Sequence, residues 1–256
     1  MRRWVLRFGL ALSTLSPVAA DAHSVLAATP IARTDLSWWR TRHEAKVREL
    51  AQSKPELIFL GDSITQDWEH AGPPEWDDFA PVWQRFYGDR HAVNLGFKGD
   101  TTASLLWRIR NGEVAGITPK AAVVLIGANN LGKLHWSAAD TVTGIDTIVT
   151  ELHQRLPNTK ILLLGVLPSE RSAWITETTD QINRALAKRY KDDRSVSFLD
   201  LTALFMRNGA LNRALFLDSR LTPPDPLLHP SAQGQAQMAK AMEPVLVNML
   251  GDRPHS

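Results

Sequence analysis

The chain contains a serine placed where a hydrolytic nucleophile could lie. Ser63 follows the apolar run 56–61 and ends the tripeptide Gly61-Asp62-Ser63. A serine at the turn from a strand into a helix presents its hydroxyl at the sheet edge, with backbone N–H groups of the new helix pointing toward it. The tripeptide is common, and Ser63 could equally be an ordinary helix N-cap. The chain has no Gly-x-Ser-x-Gly, so the nucleophile elbow of the α/β-hydrolases is absent.

Two further segments could supply hydrogen-bond donors to a developing negative charge. Gly99 lies in a glycine-containing turn after the apolar run 91–96, and a glycine lets the backbone approach a ligand closely and frees an N–H to donate. Asn129 follows the run 121–127, and a neutral amide at a strand end suits a developing oxyanion. Both residues are also typical of ordinary turns.

One histidine stands where a general base would be useful. His229 lies in a polar, proline-rich loop ahead of the last amphipathic segment, and Asp225 is close to it in sequence. A general base must lie near the nucleophile, and a carboxylate can hold its tautomer. A solvated surface histidine is the alternative interpretation.

The elements that would position these residues alternate along the chain. Short, continuously apolar runs of strand length alternate with amphipathic, helix-length segments. The predicted strands are 56–61, 91–96, 121–127, 160–167 and 196–199, and the predicted helices are 36–52, 101–111, 137–156, 176–190 and 231–250. Fully apolar strands separated by helices predict a parallel sheet covered on both faces. Right-handed crossovers then bring the carboxyl ends of the strands to one edge, where ligands bind in such folds.

The order of these motifs resembles that of the SGNH, or GDSL-like, hydrolase superfamily. That family has Gly-Asp-Ser after the first strand, a glycine after the second, Gly-x-Asn after the third and Asp-x-x-His before the final helix. The matching segments are Gly61-Asp62-Ser63, Lys98-Gly99-Asp100, Gly127-Ala128-Asn129 and Asp225 with His229-Pro230. Within the superfamily, the stretch 94–112 is most similar to the catalytic subunits of platelet-activating factor acetylhydrolase and their bacterial relatives. The resemblance covers about residues 38 to 250.

The resemblance implies a single-domain, three-layer α/β/α sandwich with a five-stranded parallel sheet of the SGNH, flavodoxin-like type. It implies that Ser63 is the nucleophile, His229 the base and Asp225 the carboxylate that orients His229. The oxyanion hole would consist of the backbone N–H groups of Ser63 and Gly99 and the side chain of Asn129. No metal and no organic cofactor is expected.

The acidic partner of His229 departs from the family pattern. Asp225 precedes His229 by four residues where the family spacing is three, and Pro226 biases Asp225 away from helical backbone angles. A bulged loop could still direct the Asp225 carboxylate toward the imidazole. Otherwise His229 is held by a backbone carbonyl in a Ser–His dyad, or Asp218 takes the place of Asp225.

The composition and the N-terminal residues limit the class of protein. The 29 basic and 27 acidic side chains give a formal charge of +2, so a nucleic-acid partner is not expected. The chain has no cysteine, which excludes disulfides and thiolate catalysis. Arg2, Arg3 and Arg7 precede the apolar run 8–20 and then small residues, the pattern of a cleaved secretory signal. We therefore expect a signal peptide at 1–28, a hydrolase domain at 29–256, and export to the periplasm or the medium without stable membrane insertion.

The motifs and the resemblance imply a serine ester hydrolase, and the similarity to the acetylhydrolase subunits implies that it cleaves short-chain, most simply acetyl, esters. Its partner would be a small-molecule or glycan ester, and related proteins form homodimers. Trp68 and Trp136 lie near the catalytic segments, where either could stack on a sugar-like substrate, although core packing is the simpler role. An exported lipase or lysophospholipase, or a non-catalytic binder of acylated carbohydrate, are the alternative functions.

Overall fold

The computed structural model describes residues 25–71 and 78–255. The predicted signal peptide therefore lies outside the described residues up to residue 24. Residues Leu26–Ala28 form a short 3-10 helix, in which Ala27 is buried and its carbonyl accepts the Thr102 hydroxyl at 2.8 Å. Among the helices of the described ranges, none has the length and apolarity needed to cross a membrane.

Five parallel strands form the central sheet, as the sequence predicts. Their order across the sheet is β2-β1-β3-β4-β5. The bounds are β1 Leu57–Gly61, β2 Ala92–Gly96, β3 Ala121–Leu125, β4 Lys160–Leu164 and β5 Val196–Leu199. Gly61, the last residue of β1, pairs in register with Gly96 of β2 and with Leu125 of β3. The segments that follow these three strands therefore start at the same level of one sheet edge.

Helices cover both faces of the sheet and complete the predicted three-layer sandwich. Their bounds are α1 Ser37–Gln52, α2 Ser63–Gln66, α3 Ala80–Tyr87, α4 Thr102–Arg108, α5 Ala128–Gly132, α6 Ala138–Arg155, α7 Ala173–Arg189 and α8 Ala232–Leu250. Alternate strand residues face opposite layers, so Ile58 and Leu60 pack with α4, α6 and α7, whereas Leu57 and Phe59 pack with α3 and α8. A two-residue hairpin pair, β6 Met206–Arg207 and β7 Ala210–Leu211, lies outside the main sheet.

Local sequence determines where the helices begin. Thr101, Ser137 and Ser231 each accept a backbone N–H from the first turn of the helix that follows, as N-caps do. Asp35 does not cap α1; Leu36 occupies that position without a side-chain hydrogen bond.

A close backbone contact places α2 against the sheet. A Cβ atom on Gly96 would lie 2.1 Å from the backbone nitrogen of Gln66, a separation no side chain can tolerate. Asn94 reinforces the contact, because its Nδ2 donates to the Thr65 carbonyl at 2.7 Å. Glycine at the end of β2 is therefore what allows α2, which begins at Ser63, to pack directly on that strand.

A buried guanidinium connects the ends of β1 and β2. Arg108, at the end of α4, is fully buried and donates to the Gly61 carbonyl at 3.1 Å and to Asp100 Oδ2 at 2.8 Å. It also donates to Glu113 and stacks on the Phe97 ring, with the guanidinium carbon 3.9 Å from the ring centroid. Because these bonds join the segment before Ser63 to the segment that contains Gly99, Arg108 fixes the two relative to each other.

Replacement of Arg108 by methionine tests this role in stability. The change leaves the carboxylates of Asp100 and Glu113 without their shared cation, and removal of one partner from a buried ion pair costs about 3–5 kcal/mol. We expect the free energy of unfolding in urea to fall by that amount. Arg184→Met is the matched control, since Arg184 forms an exposed pair with Asp180 on one helix, worth below about 0.5 kcal/mol. Equal, small losses in both variants would contradict the assigned role.

Candidate active site

Ser63 is the first residue of α2, directly after the end of β1. The side chain of Asp62, not that of Ser63, caps the helix, because Asp62 Oδ1 accepts the Ile64 N–H at 3.0 Å. The Ser63 hydroxyl is consequently not engaged as a cap, and its Oγ lies 3.0 Å from Nε2 of His229. Of the two interpretations of this serine, the structure therefore excludes the N-cap.

His229 reaches Ser63 from the far end of the chain. Its loop is held by backbone hydrogen bonds to the segment that precedes it: the Leu217 N–H donates to the His229 carbonyl at 2.8 Å, and Phe216 bridges to Pro230. Helix α8 begins three residues later, at Ala232. This antiparallel contact directs the imidazole toward the sheet edge where β1 ends.

The carboxylate that contacts His229 is that of Asp218. Asp218 Oδ1 lies 2.8 Å from His229 Nδ1, and its Oδ2 accepts the backbone N–H groups of Leu228 and His229 at 2.7 and 2.6 Å. The side chain is buried. With one oxygen on the ring and the other on the backbone, Asp218 fixes both the orientation of the imidazole and the loop that carries it.

The expectation that Asp225 orients His229 is wrong. Asp225 is exposed, and only its backbone N–H contacts the pair, donating to the Asp218 carbonyl at 3.2 Å. The bridge between Phe216 and Pro230 places Asp218 beside His229 although eleven residues separate them, whereas Asp225 lies in the turn between the two segments. The sequence signal that favours Asp218 is the apolar run 215–217, which Asp218 follows directly. Such a run indicates a buried segment, so the carboxylate after it lies at the edge of the core.

Burial and charge shift the pKa values of His229 and Asp218 in opposite directions. Burial disfavours the imidazolium form of His229, but the hydrogen bond and charge of Asp218, with the charges of Asp67 and Asp62, outweigh burial and raise the His229 pKa. Burial likewise favours the neutral form of Asp218, but the hydrogen bonds from His229 and from two backbone N–H groups lower its pKa overall. The pair is therefore arranged to stabilise a proton on the imidazole beside an ionised carboxylate.

The segments of Gly99 and Asn129 meet near the turn that carries Ser63, because Asn129 bonds to Asp100, the residue after Gly99, and to Asp62, the residue before Ser63. Gly99 adopts a φ of +81°, a left-handed conformation that favours glycine. Within the described residues, the backbone N–H groups of Gly99 and Ser63 donate to no protein acceptor. Asn129 Nδ2 donates to the Asp100 carbonyl at 3.0 Å and, over a longer distance of 3.3 Å, to Asp62 Oδ2. The two N–H groups are thus available to a ligand, and the amide of Asn129 becomes available if a ligand oxygen displaces its longer contact.

Asp62 forms the floor of this group of donors. It is fully buried, and desolvation raises its pKa to about 7, against the lowering effects of the Ile64 N–H and of His229. A carboxyl group that is partly protonated near neutral pH is a weaker acceptor for the Asn129 amide than an ionised one. The sequence shows Asp62 only as the middle residue of Gly61-Asp62-Ser63 and gives no sign of this burial.

A small cavity opens at Ser63 and His229. Its volume is about 260 Å³, and its polar lining includes Asp67, His70 and Lys98. Trp68 does not reach it: that side chain is buried against Phe59 and Tyr87, so the ligand-stacking role considered for it is excluded. Across the described ranges, the His, Asp and Glu side chains form no cluster of three or more suited to a metal ion.

Comparison with known proteins identifies the family. Residues 59–237 match the GDSL-like lipase/acylhydrolase family, and the match includes Ser63, Gly99, Asn129, Asp218 and His229. The chain belongs to this family. Its members are ester hydrolases, so the reaction class of the site is ester hydrolysis.

Individual relatives cover nearly the whole chain. The rat platelet-activating factor acetylhydrolase IB subunit alpha2 is 30% identical over 234 residues, covering 89% of this chain and 93% of the rat protein. A GDSL-like lipase from Bacteroides thetaiotaomicron superposes with a TM-score of 0.58 at 18% identity, over 83% of this chain and 97% of that one. An acetylxylan esterase from Geobacillus stearothermophilus gives a TM-score of 0.54 at 22% identity, over 78% and 96%. At these identities the two structures support the fold.

Replacing Asp218 and Asp225 by asparagine, one at a time, tests which carboxylate acts on His229. Asp218→Asn should lower kcat/KM toward a simple aryl ester by roughly 10³–10⁴, because the imidazole loses its orientation and tautomer. Asp225→Asn, the matched control, removes a carboxylate that lines the same cavity without contacting the ring, so its loss of activity should be far smaller.

The pH profile gives a second readout of the same pair. His229 must be neutral to accept a proton, so activity rises with pH through the His229 pKa, which the wild type holds above 6.5. Asp218→Asn removes the main interaction that raises this pKa, and the midpoint of the rise in kcat/KM should move to lower pH. A profile that moves in Asp225→Asn and not in Asp218→Asn would contradict the pairing.

Proposed function

We propose that this protein hydrolyses short-chain carboxylic esters, acetyl esters above all, through a Ser63–His229–Asp218 triad. The observation that carries the proposal is the continuous pair of contacts from Ser63 Oγ to His229 Nε2 at 3.0 Å and from His229 Nδ1 to Asp218 Oδ1 at 2.8 Å. An alcohol, an imidazole and a carboxylate in this order form the constellation of serine hydrolases on several unrelated folds. The chain order Ser, Asp, His is one that such triads adopt.

The reaction follows from these contacts. His229 Nε2 takes the hydroxyl proton as Ser63 Oγ bonds to the ester carbonyl carbon. The carbonyl oxygen becomes an oxyanion held by the N–H groups of Ser63 and Gly99 and by Asn129 Nδ2. Preorganised donors of this kind contribute about 3–4 kcal/mol each where one has been removed. His229 then delivers the proton to the leaving alkoxide oxygen as the carbon–oxygen bond breaks, and a water molecule repeats the sequence on the acyl-enzyme.

The preference for acetyl esters rests on similarity and on the size of the site. Both the mammalian acetylhydrolase subunit and the bacterial acetylxylan esterase carry an acetyl-cleaving activity in their names. The cavity at Ser63, at about 260 Å³, has the size of a short acyl group with part of its alcohol. Its lining of carboxylate, imidazole and ammonium groups suits a hydroxylated alcohol such as a sugar better than a hydrocarbon.

We also propose that the chain is exported after removal of its N-terminal segment. The basic residues Arg2, Arg3 and Arg7 followed by the apolar run 8–20 support export. Small residues offer two cleavage sites, after Ala22 and after Ala28. We propose the first in place of an end at residue 28, because cleavage after Ala22 preserves the contact between Thr102 and Ala27, whereas cleavage after Ala28 removes it. We expect N-terminal sequencing of the extracytoplasmic protein to begin at residue 23; a start at residue 1 would contradict export with cleavage.

Removing the Ser63 hydroxyl tests the mechanism. Ser63→Ala should lower the kcat for 4-nitrophenyl acetate by about 10⁴ or more, because no other group can form the acyl-enzyme. A fluorophosphonate probe should add one adduct to the wild type, seen by intact mass, and none to Ser63→Ala. Ser53→Ala is the matched control, since its hydroxyl has no hydrogen-bond partner among the described residues and lies before β1, at the opposite edge of the sheet.

The acyl preference is measured on the same proteins. With 4-nitrophenyl esters from acetate to palmitate, kcat/KM should be highest for acetate and fall with chain length. A maximum at long chains would replace the proposal with a lipase. If the wild type neither hydrolyses these esters nor reacts with the fluorophosphonate probe, the proposal is replaced by a non-catalytic binder of acylated carbohydrate.

A further inference from the structure

A second cavity opens on the other side of Gly99, and nothing in the mechanism above uses it. Its volume is about 250 Å³. Two cationic side chains, Arg33 and Lys133, line it together with Gly99, and its apolar rim is formed by Ile31, Leu134 and Trp136. We name it the Arg33–Lys133 pocket. Because Gly99 borders it, a ligand in this pocket touches the residue whose N–H faces the proposed oxyanion.

Both cations lie against the open face of Gly99. A Cβ atom built on that glycine would lie 2.5 Å from Lys133 Nζ and 3.2 Å from Arg33 Nη2. The Arg33 side chain is held in place, because Nη1 donates to the Lys98 carbonyl at 2.9 Å and to Asp100 Oδ1 at 2.8 Å. A glycine at position 99 is therefore needed both for its φ of +81° and for the approach of the two cations.

The positive charge in the pocket exceeds the negative charge that faces it. Asp100 is the only carboxylate bonded to Arg33 within the described residues, and it also accepts from Trp39 Nε1 and from Arg108. Lys133 has no ion-pair or hydrogen-bond partner for its ammonium group in the same part of the chain. Partial burial and the positive charge of Arg33 lower the pKa of Lys133, as expected for two cations held close together. An anion would relieve this repulsion.

We propose that the Arg33–Lys133 pocket binds a carboxylate or phosphate group of the ester, so that the preferred substrates are anionic esters. This inference rests on the proposed function and specifies its substrate class. Charge-assisted hydrogen bonds from a guanidinium and an ammonium are the strong contacts that such groups form in proteins. The exposed side chains of Ile31 and Leu134 cover the carbon atoms that join the anion to the ester. The bound anion then holds the ester carbonyl of the substrate at Gly99.

The anionic group can belong to either half of the ester, and two matched pairs of substrates separate these sources. Monoethyl succinate carries the carboxylate on the acyl half, and ethyl succinamate is its neutral amide. Acetoxyacetate carries it on the alcohol half, and acetoxyacetamide is the neutral counterpart. For each pair the measured quantity is the ratio of kcat/KM for the acid to kcat/KM for the amide. Hydrolysis is monitored by titration of the released acid.

We expect the wild type to favour the acid of one pair by about tenfold or more, the value of one charged hydrogen bond. The pair that shows this ratio identifies the half that occupies the pocket. Lys133→Met should reduce that ratio to near one. Lys120→Met, which removes an exposed lysine paired with Glu56 at the opposite edge of the sheet, should leave the ratio unchanged.

Two results would overturn the proposal. A wild-type ratio near one in both pairs would mean that the pocket does not select an anion. Equal losses for acid and amide in Lys133→Met would mean that Lys133 acts on the oxyanion common to all esters. Failure of the proposed function is distinguishable, because it would abolish hydrolysis of the neutral amides as well, whereas an enzyme without anion selection would hydrolyse them and lose that activity in Ser63→Ala.

Discussion

The arrangement of the site depends on one buried cation. Arg108 joins the Gly61 carbonyl, two residues before Ser63, to Asp100, the residue after Gly99. Parallel strands alone bring these loops to one edge, but their ends are irregular backbone whose relative position the sheet does not determine. The Arg108 guanidinium is fully buried and its donors have a fixed planar arrangement, so its hydrogen bonds restrict the relative position of the two loops.

Charged side chains of both signs surround the candidate site. His229 faces the carboxylates of Asp218, Asp67 and Asp62, which together raise its pKa although burial acts to lower it. Beyond Gly99, Arg33 and Lys133 supply positive charge. In the proposed mechanism, the carboxylates stabilise the imidazolium that forms when Ser63 Oγ attacks a carbonyl, and the cations beyond Gly99 favour the negative charge on the oxyanion.

Most of the fold, and the candidate site apart from the acidic partner of His229, could be predicted from the sequence. The five apolar runs became strands within a few residues of their expected bounds, because their burial on both faces leaves continuous hydrophobic segments that no exposed element can show. Ser63, Gly99 and Asn129 follow strand ends, so parallel topology brings the segments that contain them to one sheet edge. Asp225 was the wrong choice because it was chosen by its spacing from His229 in the sequence, whereas the bridge from Phe216 to Pro230 folds the chain so that Asp218 lies beside His229.

By itself, the amino-acid sequence determined which side chains are present at each strand end and the class of chemistry they allow. Local patterns are sufficient for that, because hydrophobic periodicity and caps act over a few residues. Only the tertiary structure decided that Asp218 holds His229, that Asp62 is buried enough to protonate near neutrality, and that Lys133 and Arg33 meet at Gly99. These outcomes depend on contacts between residues 11 to about 100 positions apart, and contacts at such separations are set by how whole elements pack.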